Sequence, residues 1–413
     1  MKKVHEVHAT IPGKEARMPL YTDKIYLHHW QIQSENRANY LPKLEYALLE
    51  TENDDRNTYY TAREYMYQNQ FDTSLMMFEK YLLLGGWPPE RGQAYIFMGD
   101  CYKFKGDVPK AVEHYHKAIA TDDTRREGFF ALGSLYNEKQ QYRSAAIYLR
   151  AALEIPYNPN YYLNHKDLYT WKLHDLLALV YNKLGKDDKG KEQWLLALKN
   201  APNDKRILSN FLWYYKDDQP LISIIVPTMR PEGYERLIKS IKENTVYKNY
   251  EIIKKDGTGS AIKKFNEGVN ECKGEFVIFL ADDTEIKLGC IENAFIKFRE
   301  TFGKSKGLVI LNDEHWNGTI ANHFLCSKNI REELDGEIWH GGYFHCGADD
   351  ELAFRLKQKN LITFCEEAKI IHHHYFSPSK GIEKSSFDEG YAIMESHMEE
   401  DRQLCKKRLA SFK

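Results

Sequence analysis

Residues 92–125, GQAYIFMGDCYKFKGDVPKAVEHYHKAIATDDTR, return in outline when the chain is shifted by 34 positions. Met98-Gly99 falls on Leu132-Gly133, Tyr102 on Tyr136, Ala111 on Ala145, Tyr115 on Leu149 and Ala118 on Ala152. A third copy, with Leu177-Ala178, Tyr181, Gly185, Trp194, Ala197 and Pro202, follows an insertion around IPYNPNYYLNHKD. A weaker copy with Ala62, Tyr65, Phe71, Phe78 and Tyr81 precedes them. The period suits two helices joined by a turn. Small residues at the Gly99 and Ala111 positions let the helices approach, and large ones fill the space between. One such pair cannot bury its apolar face alone, so several must stack.

This spacing resembles the tetratricopeptide repeat, a helix–turn–helix unit of about 34 residues. The resemblance implies an all-α array over residues 51–217 with a concave surface. That surface could hold a peptide, an acceptor, a partner chain or a second copy of the chain, or the array could be a spacer, since the fold alone fixes no ligand. Residues 1–50 do not join the repeat. HEVHATIPGKEARMPLYTDKIYLHHWQ carries short strand-like pieces around a Pro-Gly turn, and NRANYLPKLEYALLE reads as a helix leading into the array.

The whole chain, 413 residues at a net charge of −2, is long enough for two or three domains. Its charge hides no basic half: 28 Lys and Arg against 31 Asp and Glu from Gln219 onward, 30 against 29 before it. Binding driven by phosphate neutralisation is therefore not suggested. Seven cysteines without a CxxC pair fit free thiols in a reducing compartment. No apolar leader and no apolar run approaching ~18 residues is present, so the expectation is a soluble, cytoplasmic chain without a membrane span.

The second half, residues 218–413, has a different rhythm. LISIIVPT (221–228) is a β-branched run ended by Pro227, and EGYERLIKSIKEN follows at helical spacing. YEIIKKDG (250–257) reads as a second strand, SAIKKFNEGVNECKG as a second helix, and EFVIFLADDTEI (275–286) as a third strand. This alternation predicts an α/β domain with a mostly parallel sheet, whose ligands bind beyond the carboxyl ends of the strands. Asp282 and Asp283 would repel each other at such an edge. A divalent cation removes that difficulty, and magnesium is commonly held by one or two carboxylates plus substrate phosphates.

In order along the chain, these segments resemble the family 2 glycosyltransferases: an IIVPT first strand, a second strand ending in Asp-Gly, and a third ending FLADD. The resemblance covers about 195 residues from Leu221 and implies a GT-A catalytic domain. Carried over residue by residue, it places Pro227, Thr228 and Arg230 in the nucleotide pocket, Asp256 at the base or ribose, and Asp282 towards the donor. It makes Asp283 a ligand of Mn2+ or Mg2+. Lys255 and Ala281 depart from the family pattern, in which both positions often hold Asp. GGYFHCGADDELAFRLKQKN (341–360) resembles the acceptor-side segment, with Asp349 on the general base, Glu351 on the second acidic position and Arg355 on the arginine. AKIIHHHYFSP (368–378) ends an apolar strand in histidines, and the family often places one near the metal. His372 is the best match, His374 the second, and alternation puts both on one face with His373 on the other.

The resemblance thus implies a nucleoside-diphosphate-sugar-dependent transferase, inverting if Asp349 acts as base in a single displacement. A protein, a glycan or a modified DNA base remains open as acceptor. The rival expectation is a transferase-like scaffold without activity that acts through its repeats. Residues 1–35 resemble the closing strands of another domain of the same family and are expected to pair with a partner chain or with the array.

Overall fold

The computed structural model describes residues 40–160 and 163–412. The strand pieces and docking role expected of the N-terminal segment lie outside the described residues, apart from its closing helix. The chain divides into two compact units, Met1–Asp123 and Thr124–Lys413.

In the first unit, α1 (Tyr40–Glu50) is followed by the pairs α2 (Asp55–Tyr67) and α3 (Phe71–Leu84), and α4 (Pro88–Phe104) and α5 (Val108–Thr121). The second unit begins with the pairs α6 (Arg126–Glu138) and α7 (Tyr142–Leu153), and α8 (Lys172–Lys183) and α9 (Asp187–Asn200). The repeat reading holds at the level of atoms. A Cβ on Gly99 would stand 2.4 Å from the Tyr115 ring, and one on Gly133 would stand 2.6 Å from Leu149, 34 positions on in both cases. Every pair turns through one left-handed residue: Asn69, Gly106, Gln140 and Gly185. The next amide in each turn donates back to the carbonyl of Tyr65, Tyr102, Tyr136 or Tyr181 at 2.8–2.9 Å, closing the helix end. The insertion after α7 is clipped by Arg126, which donates to the carbonyls of Leu153, Ile155 and Leu168.

Two short helices, α10 (Lys205–Ser209) and α11 (Phe211–Tyr214), lead into the sheet. Its strands and their flanking helices are β1 (Ile222–Thr228), α12 (Pro231–Asn244), β2 (Tyr250–Asp256), α13 (Ala261–Glu271), β3 (Phe276–Phe279), β4 (Thr284–Ile286), α14 (Cys290–Phe302), β5 (Leu308–Asn312), β6 (Phe324–Ser327), α15 (Ala348–Gln358) and β7 (Ile362–His372). Helices α16 (Glu389–Ser396) and α17 (Met398–Ser411) close the chain. The strand order is β2-β1-β3-β6-β5-β7-β4. β1 runs parallel to β2 and β3, and β5 to β7, but β6 is antiparallel to both its neighbours and β4 to β7.

The sheet is therefore mixed, which corrects the mostly parallel expectation. The reason is the connection after β5. Residues 313–323 form turns without a helix, so the chain returns beside β5 in the opposite direction instead of crossing over. One core joins the sheet to the last repeat: Trp194, Phe211 and Tyr215 share it with Tyr247, Phe276 and Phe295. Trp194 Nε1 donates to the Ile207 carbonyl at 2.7 Å within it. Residue 217, the expected end of the array, falls between Tyr215 and Ile222, both members of this core. Among the described residues no helix is long and apolar enough to cross a membrane.

Candidate active site

β1 and β3 are parallel neighbours, so the chain beyond their carboxyl ends emerges on one edge. The two aspartates there are separated by direction. Asp282 turns to β1: its Oδ2 accepts from Thr228 Oγ1 at 2.9 Å and from the amides of Met229 and Arg230 at 3.0 Å, and its Oδ1 from Arg230 Nη1 at 2.8 Å. Helix α12 comes close enough that a Cβ on Gly233 would stand 2.4 Å from the Asp282 carbonyl. Asp283 turns to β7. The β4–β7 ladder sets Thr284 opposite His372, and His373 N donates to the Asp283 carbonyl at 2.8 Å.

The Asp283 carboxylate is buried, accepts from Tyr391 Oη at 2.9 Å through Oδ2, and leaves Oδ1 without a hydrogen bond. His372 Nε2 stands 3.5 Å from that oxygen, and its Nδ1 is also unpartnered. Burial pushes the Asp283 carboxyl up, but His372, with Arg230 and His374, outweighs it and holds the group well below the usual carboxylate range. Burial works against charge on His372, yet Asp283 draws it net upward. His373 is on the other side, with Nε2 at 2.6 Å from Glu285. The rings of His372 and His374 are 5.1 Å apart, as the alternation predicts.

Arg230 is claimed twice. Besides Asp282 it pairs with Asp388 just before α16, at 2.6 and 3.0 Å, and its guanidinium lies 4.3 Å from the centre of the Tyr391 ring. Pro227 and Thr228 are buried, whereas Asp256 is exposed at the end of β2, opposite Thr228 in register and 2.8 Å from Lys254.

Asp349 sits in the first turn of α15, behind Gly347 in a left-handed turn. Ala321 N donates to the Asp349 carbonyl at 3.3 Å, which ties this turn to the segment leading into β6. Asp349 is half-buried. Desolvation and the neighbouring Asp350 charge push its carboxyl up to about 7. Glu351 is instead fully engaged: Arg408 donates to both oxygens at 2.6 and 2.8 Å and Tyr343 Oη at 2.7 Å. Arg355 reaches it at 3.4 Å and Asp335 at 2.7 Å. These two residues clamp α15 to α17 rather than facing the two aspartates.

Four residues at this edge escaped sequence reasoning. Asp313 follows β5 and His323 precedes β6. LVILN running into Asp-Glu carried the same strand-end signal as the Asp pair and could have been read. Asp388 and Tyr391 gave no signal, because only the return of the C-terminal segment brings them near. A cavity of 570 Å3 opens elsewhere, among Asp217, Pro220, Glu275, Arg299 and Lys328, and none of the candidate residues lines it.

Two family models of the tetratricopeptide repeat match residues 94–127 and 127–159. The chain contains tetratricopeptide repeats. Solved structures with some likeness include MamA (15% identity, 41% of this chain and 91% of that chain, TM-score 0.33). Others are the Cut9–Hcn1 hetero-tetramer of APC/C (14%, 44% and 33%, TM-score 0.36) and a thermophilic tetratricopeptide protein of Thermus thermophilus (19%, 44% and 89%, TM-score 0.31). The comparison with curated proteins gave no match.

Proposed function

We propose that the sheet region is a GT-A domain of a family 2-type glycosyltransferase, and that the repeats hold a protein partner or acceptor beside it. The observation that carries this reading is the buried Asp283 Oδ1, without a hydrogen bond, with His372 Nε2 3.5 Å away. A buried carboxylate oxygen left unsatisfied is costly unless a ligand completes it. A carboxylate oxygen, completed by a substrate's phosphate oxygens, fits Mn2+ or Mg2+, with His372 beside it. Such an ion supplies positive charge for the donor's diphosphate and for the departing nucleoside diphosphate.

The chain's own residues do the rest. Asp282 holds the Thr228–Arg230 turn as a wall of the donor pocket with Pro227, and Asp256 is open to the base or ribose. Arg230, once released by Asp388, is placed to meet a phosphate. Asp349, poised near neutrality, takes the proton of the acceptor hydroxyl as it attacks the anomeric carbon, which inverts that centre. Glu351 and Arg355 hold the helix that carries it.

The test is thermal stabilisation by uridine or guanosine diphosphate with Mn2+. Stabilisation that disappears with chelator and in Asp283→Ala supports the enzyme, and at a hundredfold excess over Kd it should reach about 2.7 kcal/mol. A panel of sugar nucleotides, assayed for diphosphate release, then identifies the donor. No response to any nucleotide would leave the second reading, a scaffold acting through its repeats, which Lys255 and Ala281 favour at positions where the family often has Asp.

A further inference from the structure

Behind Asp283 lies a group of three side chains that the transferase reading uses only in part. Asp313, His323 and His372 are all buried, and each offers a ligand atom within 4.8 Å of the others. They stand at the ends of the neighbouring strands β5, β6 and β7: Asp313 just after β5, His323 just before β6, and His372 as the last residue of β7. His323 is 2% exposed, yet neither of its ring nitrogens has a hydrogen-bond partner, and His372 Nδ1 has none either. Two buried imidazoles with unpartnered nitrogens beside a buried carboxylate demand an occupant.

We propose that Asp313, His323 and His372 form a second cation site, for a divalent ion of the zinc class. Two imidazoles and one carboxylate are the donor set of such ions, whereas magnesium prefers oxygen throughout. Bonds of about 2.0–2.1 Å to a tetrahedral ion place neighbouring ligands roughly 3.4 Å apart, so a small contraction closes the group. The ligands are already held. Asp313 Oδ1 accepts from the amides of His315 and Trp316, and Oδ2 from Asn322 Nδ2. The His323 ring stacks on Phe279 and meets the His372 ring edge-on at 4.9 Å. Ser379 donates to the Asp313 carbonyl at 2.5 Å and accepts from His372 N at 2.8 Å, joining the two ligand loops.

His372 then serves both neighbours. Its Nδ1 binds the inner ion and its Nε2–H points at Asp283, the outer carboxylate that commonly fixes the tautomer of a metal-bound histidine. The diphosphate's cation is left to Asp283 and the donor's own oxygens. The inner site does not depend on sugar transfer, because its ligands meet without a donor.

The test uses the full chain, stripped by chelator and titrated with Co2+ alone, without nucleotide. One equivalent with the strong visible bands of a four- or five-coordinate ion, displaced by Zn2+, is expected. His323→Gln and Asp313→Asn should each weaken binding at least tenfold, with circular dichroism unchanged, while Asp217→Asn, at the other cavity, keeps the bands. A spectrum without such bands in the unsubstituted chain would mean that a buried water bridges the three groups, and the proposal would fail. It would fail equally if the bands survived both His323→Gln and Asp313→Asn. Neither failure touches the manganese-dependent binding of a nucleoside diphosphate, which is read separately.

Discussion

The repeat pairs and the carboxyl edge of the sheet are both tightly packed, but they use their polar groups in opposite ways. In the pairs, fit is a matter of volume: Gly99 makes room for Tyr115 and Gly133 for Leu149, and the turn amides are satisfied by tyrosine carbonyls of their own helix. At the sheet edge, Asp283 Oδ1, His372 Nδ1 and both nitrogens of His323 are buried without partners. Single atoms such as Asn182 Oδ1 are left open in the pairs too, but at the sheet edge four of them fall on three neighbouring side chains, and together they are costly unless a ligand completes them.

Four substitutions or titrations test that contrast. The largest effect belongs to the edge: Asp349→Asn should lower transfer by about 10²–10⁴-fold while leaving nucleotide binding intact. Full turnover in that variant would remove Asp349 as the base. Next comes volume. Gly99→Ala should cost about 1–3 kcal/mol by overpacking, seen as a lower Tm, and Tyr115→Leu in the same chain should recover part of it. If Gly99→Ala is silent, the pairs are looser than their geometry. Third, Arg408→Ala removes two charge-assisted bonds from Glu351 and should cost about 1–3 kcal/mol, less than a fully orphaned carboxylate because Tyr343 and Arg355 remain. Unchanged denaturant midpoints would show that the α15–α17 clamp is not needed.

The fourth test is in pH. Asp349 keeps its proton in the folded chain up to about 7, against about 3.9 when unfolded. Between those values folding takes up a proton, so this group's contribution makes stability fall as pH rises. The transfer rate should move the other way and climb through pH 7 as the base loses its proton. Asp349→Asn should remove both trends.

The repeat was legible because its signal is local and recurs: Tyr102 and Tyr136, or Ala111 and Ala145, are read in register without knowing anything distant. β1, β2 and β3 were legible for a similar reason, as apolar runs separated by amphipathic helices. The parallel rule then failed at β6, since residues 313–323 give no periodicity that distinguishes a return from a crossover. The edge was half visible. Asp282, Asp283 and His372 end apolar runs, but the division of labour between the two aspartates depends on which strand each one faces. Asp388 and Tyr391 lie more than a hundred residues from their partners, and no spacing rule reaches that far.

The shared core of the last repeat and the sheet dictates how the molecule can be cut. Expressing residues 218–413 by themselves would strip Trp194, Phe211 and Tyr215 from Tyr247 and Phe295 and leave an apolar wound on the sheet's flank. A fragment that keeps this core should instead begin near Thr124, where the second unit starts, and carry its two helical pairs with it.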